Sequence, residues 1–239
     1  MQRSKVALIA GVLGAIGLLG PAIGAALAHF GAVPPLSGFV VFGISLLLGL
    51  IAGALGLLAF YTTRAAVNRS GRPLAWLALV AAATAIGVIG FARSGVAVPP
   101  INDISTDLVE PPAFGADPSD RGRDMAFPAG FAEQIKATAA YRDLRPAHVA
   151  RAPAEVLGEV EATARALQWK VVSVDTAAGT VVANDTTKLF RFVDDIVVRV
   201  RDDGAGGSIV DVRSKSRDGQ GDNGVNAERI RRFYAALPK

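Results

Sequence analysis

The first 102 residues contain no aspartate and no glutamate, and the whole chain contains no cysteine. Without cysteine, disulfide bonds and thiolate metal ligands are excluded. The two histidines, His29 and His148, are too few for a histidine metal cluster. We therefore predict that the protein holds no metal ion and no cofactor.

Three long apolar runs fill the acid-free segment, at residues 6–28, 38–61 and 74–91. None of the runs contains Asp, Glu, Lys, Arg or His. A helix rises about 1.5 Å per residue, so runs of this length cross a hydrocarbon core of about 30 Å. The pattern predicts that residues 1–93 form an anchor of three transmembrane helices.

The charge of the chain divides at residue 102. The anchor carries six basic residues and no acidic ones, which gives +6. The remaining 19 Lys and Arg residues and 21 Asp and Glu residues give 19 − 21 = −2 for the rest of the chain. The basic character therefore belongs to the membrane loops, and this distribution argues against a nucleic-acid partner.

The basic residues also predict the orientation, because short cytoplasmic loops are enriched in Lys and Arg. Arg3 and Lys5 precede the first run, and three arginines lie in the connection 62–73, whereas the connection 29–37 has neither residue type. This pattern places the N-terminus inside and the C-terminal domain in the periplasm, with the anchor in the inner (cytoplasmic) membrane.

An alternative interpretation of the first run is a signal peptide cleaved near Ala26 and Ala28. The run exceeds the length of about 7 to 15 residues that is typical of a signal-peptide core, and two further apolar runs follow it. We therefore favour a membrane-spanning helix.

Glycines recur at helical spacing in the first two runs. Small residues let helix backbones approach closely, which is a main source of helix association in lipid. The stripe predicts either packing among the three helices or a face for another membrane protein or a second copy. The candidate packing residues are Gly11, Gly14, Gly17, Gly20, Gly49, Gly53 and Gly56.

Six prolines interrupt residues 94–130, so we expect a linker there. Residues 131–239 are predicted to form a small α+β domain of two layers, with about four antiparallel strands packed against helices. The expected helices are 131–141, 153–167 and 226–237, and the expected strands are 169–174, 180–183, 189–201 and 208–213.

The last two strands form a predicted hairpin around the loop 202–207. Placing Val200 opposite Val210 puts one set of apolar side chains on a shared face, namely Phe192, Ile196, Val198, Val200, Val210 and Val212. The same register pairs Arg199 with Asp211, and Asp195 with Lys215. We expect these ion pairs on the face away from the core or under a partner, and an exposed pair of this kind contributes roughly 0.2 to 1 kcal/mol.

Asp194 and Asp195 are adjacent on a strand, so their side chains point to opposite faces and cannot act together as general acid and base. Asp194 falls on the core side, where its charge needs a cationic partner. Arg213, Arg217 or Arg229 can supply one. A structural ion pair is the leading interpretation, and a carboxylate for ligand binding, metal binding or catalysis is the alternative.

The segment 214–226 is rich in glycine and polar residues and leads from a strand into a helix. Such a loop can hold a phosphate or carboxylate through backbone N–H groups. It can equally be a capped turn, since Asp and Asn are common helix caps. The candidate ligand-binding residues are Asp194, Arg213, Ser214, Arg217, Asp222, Asn226 and Arg229.

Parts of this pattern resemble a known family. The resemblance rests on residues 190–195 (FRFVDD), 210–217 (VDVRSKSR) and the polar positions that follow, together with 101–107 (INDISTD) and the nearby Pro111, Pro112 and Phe114. The chain resembles the domain-of-unknown-function family numbered 1499. The resemblance implies a small domain, often attached to a membrane or exported, with no settled activity.

Two functions are consistent with these features. The first is a non-catalytic binding or accessory subunit of an envelope or membrane-protein complex. The alternative is an enzyme that acts on a lipid or envelope metabolite at the membrane surface. Its reacting groups would come from Asp194, Arg213, Arg217, Asp222 and Arg229.

Overall fold

The computed structural model describes residues 2–64, 69–93, 98–115 and 123–238. The chain divides into two compact units. One comprises Met1–Gly95 together with Lys188–Arg191, and the other comprises Val96–Thr187 together with Phe192–Lys239.

The first unit contains three helices, as the apolar runs predict: α1 (Lys5–His29), α2 (Pro35–Thr62) and α3 (Arg72–Arg93). All three are long and apolar enough to cross a membrane, with mean hydropathies of 2.3, 2.5 and 2.2 over their most apolar windows. Ser4 caps α1 by accepting a hydrogen bond from the backbone N–H of Ala7 at 3.3 Å. Two short parallel strands, β1 (Gln2–Arg3) and β2 (Arg69–Ser70), lie beside the helices.

The glycine stripes lie where the helices approach one another. A Cβ atom built on Gly17 would lie 2.5 Å from the Cα of Gly49, and one built on Gly14 would lie 2.9 Å from the Cα of Ala78. Helix α1 therefore contacts α2 and α3 almost backbone to backbone. The other predicted packing glycines, which are Gly11, Gly20, Gly49, Gly53 and Gly56, have similarly close neighbours within this unit.

Gly17→Ala is expected to destabilise the helical unit by roughly 1–3 kcal/mol, because its methyl group would overlap the backbone of α2. Gly43→Ala is the matched control, since a Cβ atom at Gly43 has no neighbour within 4 Å. Thermal unfolding of the full-length protein in detergent measures the difference. Equal melting temperatures for the two variants would contradict the packing role of Gly17.

The second unit contains an antiparallel sheet of six strands, two more than the sequence indicates. The additional strands are β3 and β4, which have only three residues each and carry no alternating pattern. In chain order the elements are β3 (Asp103–Ser105), α4 (Phe131–Ala137), a 3-10 turn (Ala139–Tyr141), β4 (Ala147–Val149), α5 (Pro153–Ala166), β5 (Lys170–Asp175), β6 (Thr180–Thr186), β7 (Val193–Asp202), β8 (Ser208–Ser216) and α6 (Val225–Ala236).

The strand order is β3-β8-β7-β6-β5, and β4 also pairs with β8. Both β3 and β4 therefore pair with the edge of β8 that faces away from β7, at different positions along the strand. Strand β3 falls within the segment 94–130 that we expect to be a linker, so part of that segment belongs to the folded sheet. Residues 94–97 and 116–122 of the expected linker lie outside the described residues.

Helices α5 and α6 cover one face of the sheet and enclose the main hydrophobic core. Val160 of α5 and Ile230 of α6 are fully buried against Val198 and other residues of the strands. Trp169 stacks on Phe233 with ring centroids 5.4 Å apart, so Trp169 is a core residue. Pro153 occupies the first turn of α5, where its missing N–H costs no hydrogen bond.

The predicted hairpin register is confirmed. Val200 pairs with Val210, and Arg199 lies opposite Asp211. The predicted beginning of the strand is wrong, because residues 189–192 precede β7 and Arg191 has a positive φ of 64°. That conformation does not fit an extended strand.

Candidate functional site

The candidate ligand-binding residues lie on both faces of the sheet. Asp194 and Ser214 point to the face that α6 covers, where they meet Asn226 and Arg229. Arg213 and Arg217 contact acidic residues on the other face. The separation follows from strand alternation in β7 and β8, and it means that these residues do not form one site.

Arg229 is the centre of the group beneath α6 and is only 1% exposed. Its Nη2 donates to Asp194 Oδ2 at 2.5 Å, and its Nε donates to Asp185 Oδ2 at 2.9 Å. Its Nη1 donates to Ser214 Oγ at 3.1 Å and to Asn226 Oδ1 at 2.6 Å. Every nitrogen of the guanidinium therefore has an acceptor within the protein, as a buried arginine requires.

Asn226 joins this group to β3 and β8. Its Nδ2 donates to the backbone oxygen of Asn102 at 3.2 Å and to Ser216 Oγ at 3.0 Å, and its Oδ1 accepts a hydrogen bond from Ser214 at 2.6 Å. The residue is completely buried. Its polar atoms hold the start of α6 against the sheet.

Asp222 caps the turn that leads into α6. Its carboxylate accepts hydrogen bonds from the backbone N–H of Gly224 at 2.8 Å and of Asn226 at 2.9 Å. Asn223 and Gly224 have positive φ values of 52° and 84°, which these residue types tolerate best. This geometry corresponds to the capped turn, one of the two interpretations of segment 214–226.

Burial raises the pKa of Asp194 above its ordinary value, and the repulsion from Asp185 acts in the same direction. The charge of Arg229 and a hydrogen bond from Ser216 oppose this effect without cancelling it. Asp185 also belongs to the group around Arg229, but it is not among the candidate residues from the sequence. Nothing in its local pattern distinguishes it from other polar strand residues.

Arg213 is the corresponding buried cation on the opposite face, at 2% exposure. Its Nε and Nη2 donate to the two carboxylate oxygens of Asp103 at 2.9 and 2.8 Å. Further donors reach the backbone oxygens of Pro112 at 3.1 Å and Met125 at 2.9 Å. The guanidinium also lies 4.6 Å from the ring centroid of Phe114, within cation–π distance.

Asp195 anchors a second group on this face. Its carboxylate accepts hydrogen bonds from Arg217 at 2.6 Å and from Asn184 Nδ2 at 2.7 Å. Arg123 lies 3.3 Å from the same carboxylate. Lys215 lies opposite Asp195 in the register, but its ammonium contacts Asp103 at 3.2 Å.

Asp211 is fully buried, although we expect its pair with Arg199 to be exposed. One of its oxygens accepts hydrogen bonds from Arg199 and Arg201, at 2.9 and 2.8 Å. Both arginines also contact Asp107, at 3.0 and 3.1 Å. The segment after β3 covers the pair, and no sequence pattern indicates that cover.

Asp107 has a lowered pKa. Burial alone would raise it, but the backbone N–H groups of Glu110 and Val109, with the charges of Arg199 and Arg201, outweigh burial. The carboxylate is therefore held in its ionised form by donors on both of its oxygens.

Asp103 of β3 thus pairs with Arg213 of β8, a contact that sequence periodicity alone does not show. The profile of one protein family, described as a protein of unknown function (DUF1499), matches residues 103–237. The chain belongs to the DUF1499 family. The matched range begins at Asp103, the buried partner of Arg213, and it includes all six strands of the sheet.

No curated protein matches the chain significantly. Within the described part of the DUF1499 domain, no group of three or more His, Asp or Glu side chains is arranged to hold a metal ion. The charged groups around Arg229, Arg213, Asp195 and Asp211 act as internal ion pairs. They neutralise buried charges and fix the strands, the turn before α6 and the segment after β3 in place.

Arg229→Met is expected to destabilise the domain by about 3–5 kcal/mol, because it leaves Asp194 buried without a cation. Adding Asp194→Asn to this variant should recover part of the loss. Denaturant unfolding of the full-length protein in detergent, followed by Trp169 fluorescence in a Trp76→Phe background, measures both effects.

Arg165→Ala is the control for that experiment, since its ion pair with Glu161 is largely exposed and contributes under about 0.5 kcal/mol. If Arg229→Met cost no more than Arg165→Ala, Arg229 would not be a structural cation.

Proposed function

We propose that the protein is a non-catalytic binding or accessory subunit of an envelope or membrane-protein complex. Three membrane-spanning helices anchor it, and its DUF1499 domain lies outside the cytoplasm. The observation that carries the proposal is the internal pairing of the candidate charges. The charged side chains that an enzyme could use in catalysis form ion pairs within the domain instead. These pairs are Asp194 with Arg229, Asp103 with Arg213, and Asp195 with Arg217.

An enzyme that uses Asp194, Arg213, Arg217, Asp222 and Arg229 together has less support. Arg213 and Arg217 lie on the face of the sheet opposite Asp194 and Arg229. The carboxylate of Asp222 caps the turn before α6. A catalytic role would therefore require the ion pairs to break and the groups to cross the sheet.

The charge distribution supports the orientation. Arg3, Lys5 and the basic connection between α2 and α3 favour the cytoplasm, whereas the connection between α1 and α2 has no Lys or Arg. With an odd number of crossings, this distribution supports a DUF1499 domain in the periplasm and an anchor in the inner membrane.

Partners of the anchor are the lipid bilayer and either another membrane protein or a second copy of this chain. Because the glycine stripes contact neighbouring helices of the same unit, the partner would meet the outer faces. Leu8 of α1, Leu57 of α2 and Ile86 of α3 are large apolar side chains exposed there by 48%, 64% and 64%.

The orientation can be tested with single cysteines, since the natural chain has none to interfere. In intact spheroplasts, a membrane-impermeant maleimide should label Ala32→Cys and Ala205→Cys, whereas Gln2→Cys should react only after permeabilisation. Labelling of Gln2→Cys before permeabilisation, with Ala205→Cys protected, would contradict the proposed orientation and indicate the opposite one.

The accessory role predicts a stable complex. Single cysteines at Leu8, Leu57 and Ile86 sample one outer face of each helix. A crosslinker that reacts with the thiol at one end and is photoactivated at the other is applied to native membranes. At least one of the three positions should give a larger product. Mass spectrometry then identifies the product as a second copy or another membrane protein. Recovery of the protein as a monomer in mild detergent, with no crosslinked product from any position, would refute the proposal.

A further inference from the structure

A cavity of about 370 Å³ opens in the DUF1499 domain between the segment after β3 and the turn that follows α4. Its volume lies within the range of roughly 300–1,000 Å³ that is common for small-molecule sites. None of the candidate residues from the sequence lines it. It is therefore separate from the groups around Arg229 and Arg213.

The floor of the cavity is apolar. Ile135, Tyr141 and Leu144 line it and are 2%, 2% and 4% exposed. These three side chains also belong to the main core, so their positions are fixed by packing. A floor of this kind favours an apolar group in the ligand.

Cations surround the opening. Lys136, Arg142 and Arg145 line the cavity and are exposed to solvent, and none of them forms an ion pair with a carboxylate among the described residues. The carboxylate that lines the cavity belongs to Asp107, and it is already held by Arg199 and Arg201. The cavity therefore combines an apolar interior with uncompensated positive charge at its edge, which complements an anion.

We propose that this cavity binds a single-chain anionic amphiphile, with its apolar chain on the floor and its carboxylate or phosphate against Lys136, Arg142 and Arg145. The inference rests on the proposed binding role and names the chemical class of ligand. Arginine suits either headgroup, because its planar fork can donate two hydrogen bonds to two oxygens.

Tyr141 separates this cavity from a second one of about 420 Å³, which Ala140, Glu228 and Arg231 also line. Its hydroxyl is buried and has no hydrogen-bond partner in the described part of the chain. The burial raises the pKa of Tyr141 to about 12, with a further contribution from the charge of Asp222. The packed ring therefore closes this end of the cavity.

The test uses the full-length protein in nanodiscs of phosphatidylcholine and a 12-carbon fatty acid that carries a diazirine on its chain. After irradiation, mass spectrometry locates the labelled residues. We expect saturable labelling within 106–109 or 135–146. Dodecanoate and dodecyl phosphate should compete, whereas dodecanol, acetate and inorganic phosphate should not.

The Arg142→Ala/Arg145→Ala variant should weaken labelling about tenfold or more, because two charge-assisted contacts are lost. The Arg165→Ala/Lys170→Ala variant removes two cations elsewhere on the domain and should label normally. Val109→Trp provides a second approach if the arginine variant fails to fold. Val109 is 88% exposed and lines the cavity, so the larger ring should block it without changing any charge.

Labelling that is absent from these segments, or that never saturates, would overturn the inference. Equal competition by dodecanol would mean that the cavity binds apolar chains without recognising an anion. Competition by acetate or phosphate alone would mean that it binds anions without recognising a chain. Either result would also contradict binding of an anionic amphiphile. These outcomes are independent of the crosslinking test, because a complex can form through the anchor whether or not the cavity binds a ligand.

Discussion

Arg213 carries a charge that has almost no access to water, and the residues around it meet the needs of that charge. Asp103 neutralises it through two hydrogen bonds, and two backbone oxygens from the segments after β3 accept two more. Without this pair, β3 would lose a main contact to β8, and the segments that cover the second face would lose their anchor. The two-layer domain is in this sense built around a guanidinium as much as around its hydrophobic core.

Desolvation offsets much of the attraction within buried ion pairs of this kind, but removal of one partner leaves an uncompensated buried charge. Here they connect β8 to β3 and to the segments that follow β3. A consequence for function is that the most conspicuous charges in the sequence are the least available ones. Arg229 and Arg213 are buried. Arg142 and Arg145, which form no ion pair with a carboxylate among the described residues, follow α4 in a segment with no distinctive sequence pattern.

The parts of the fold that depend on periodicity were predictable from the sequence. The three apolar helices follow from composition, and the register of β7 and β8 follows from alternating valines, as the pairing of Val200 with Val210 shows. Strands β3 and β4 were not predictable, because three residues are too few to show a period. The burial of Asp211 depends on a cover from about 100 residues earlier in the chain, and local patterns carry no information about such contacts.

Strand β8 is the last strand in the chain, yet it pairs with β7 on one side and with both β3 and β4 on the other. Asp103 and Arg213 are separated by 110 positions. During synthesis, β3 therefore emerges long before β8. The backbone groups of β3 cannot form their hydrogen bonds to β8 until the end of the domain has been made. Such non-local pairing favours slow folding after translation, and a chain that stops before β8 would leave three strands without their common neighbour.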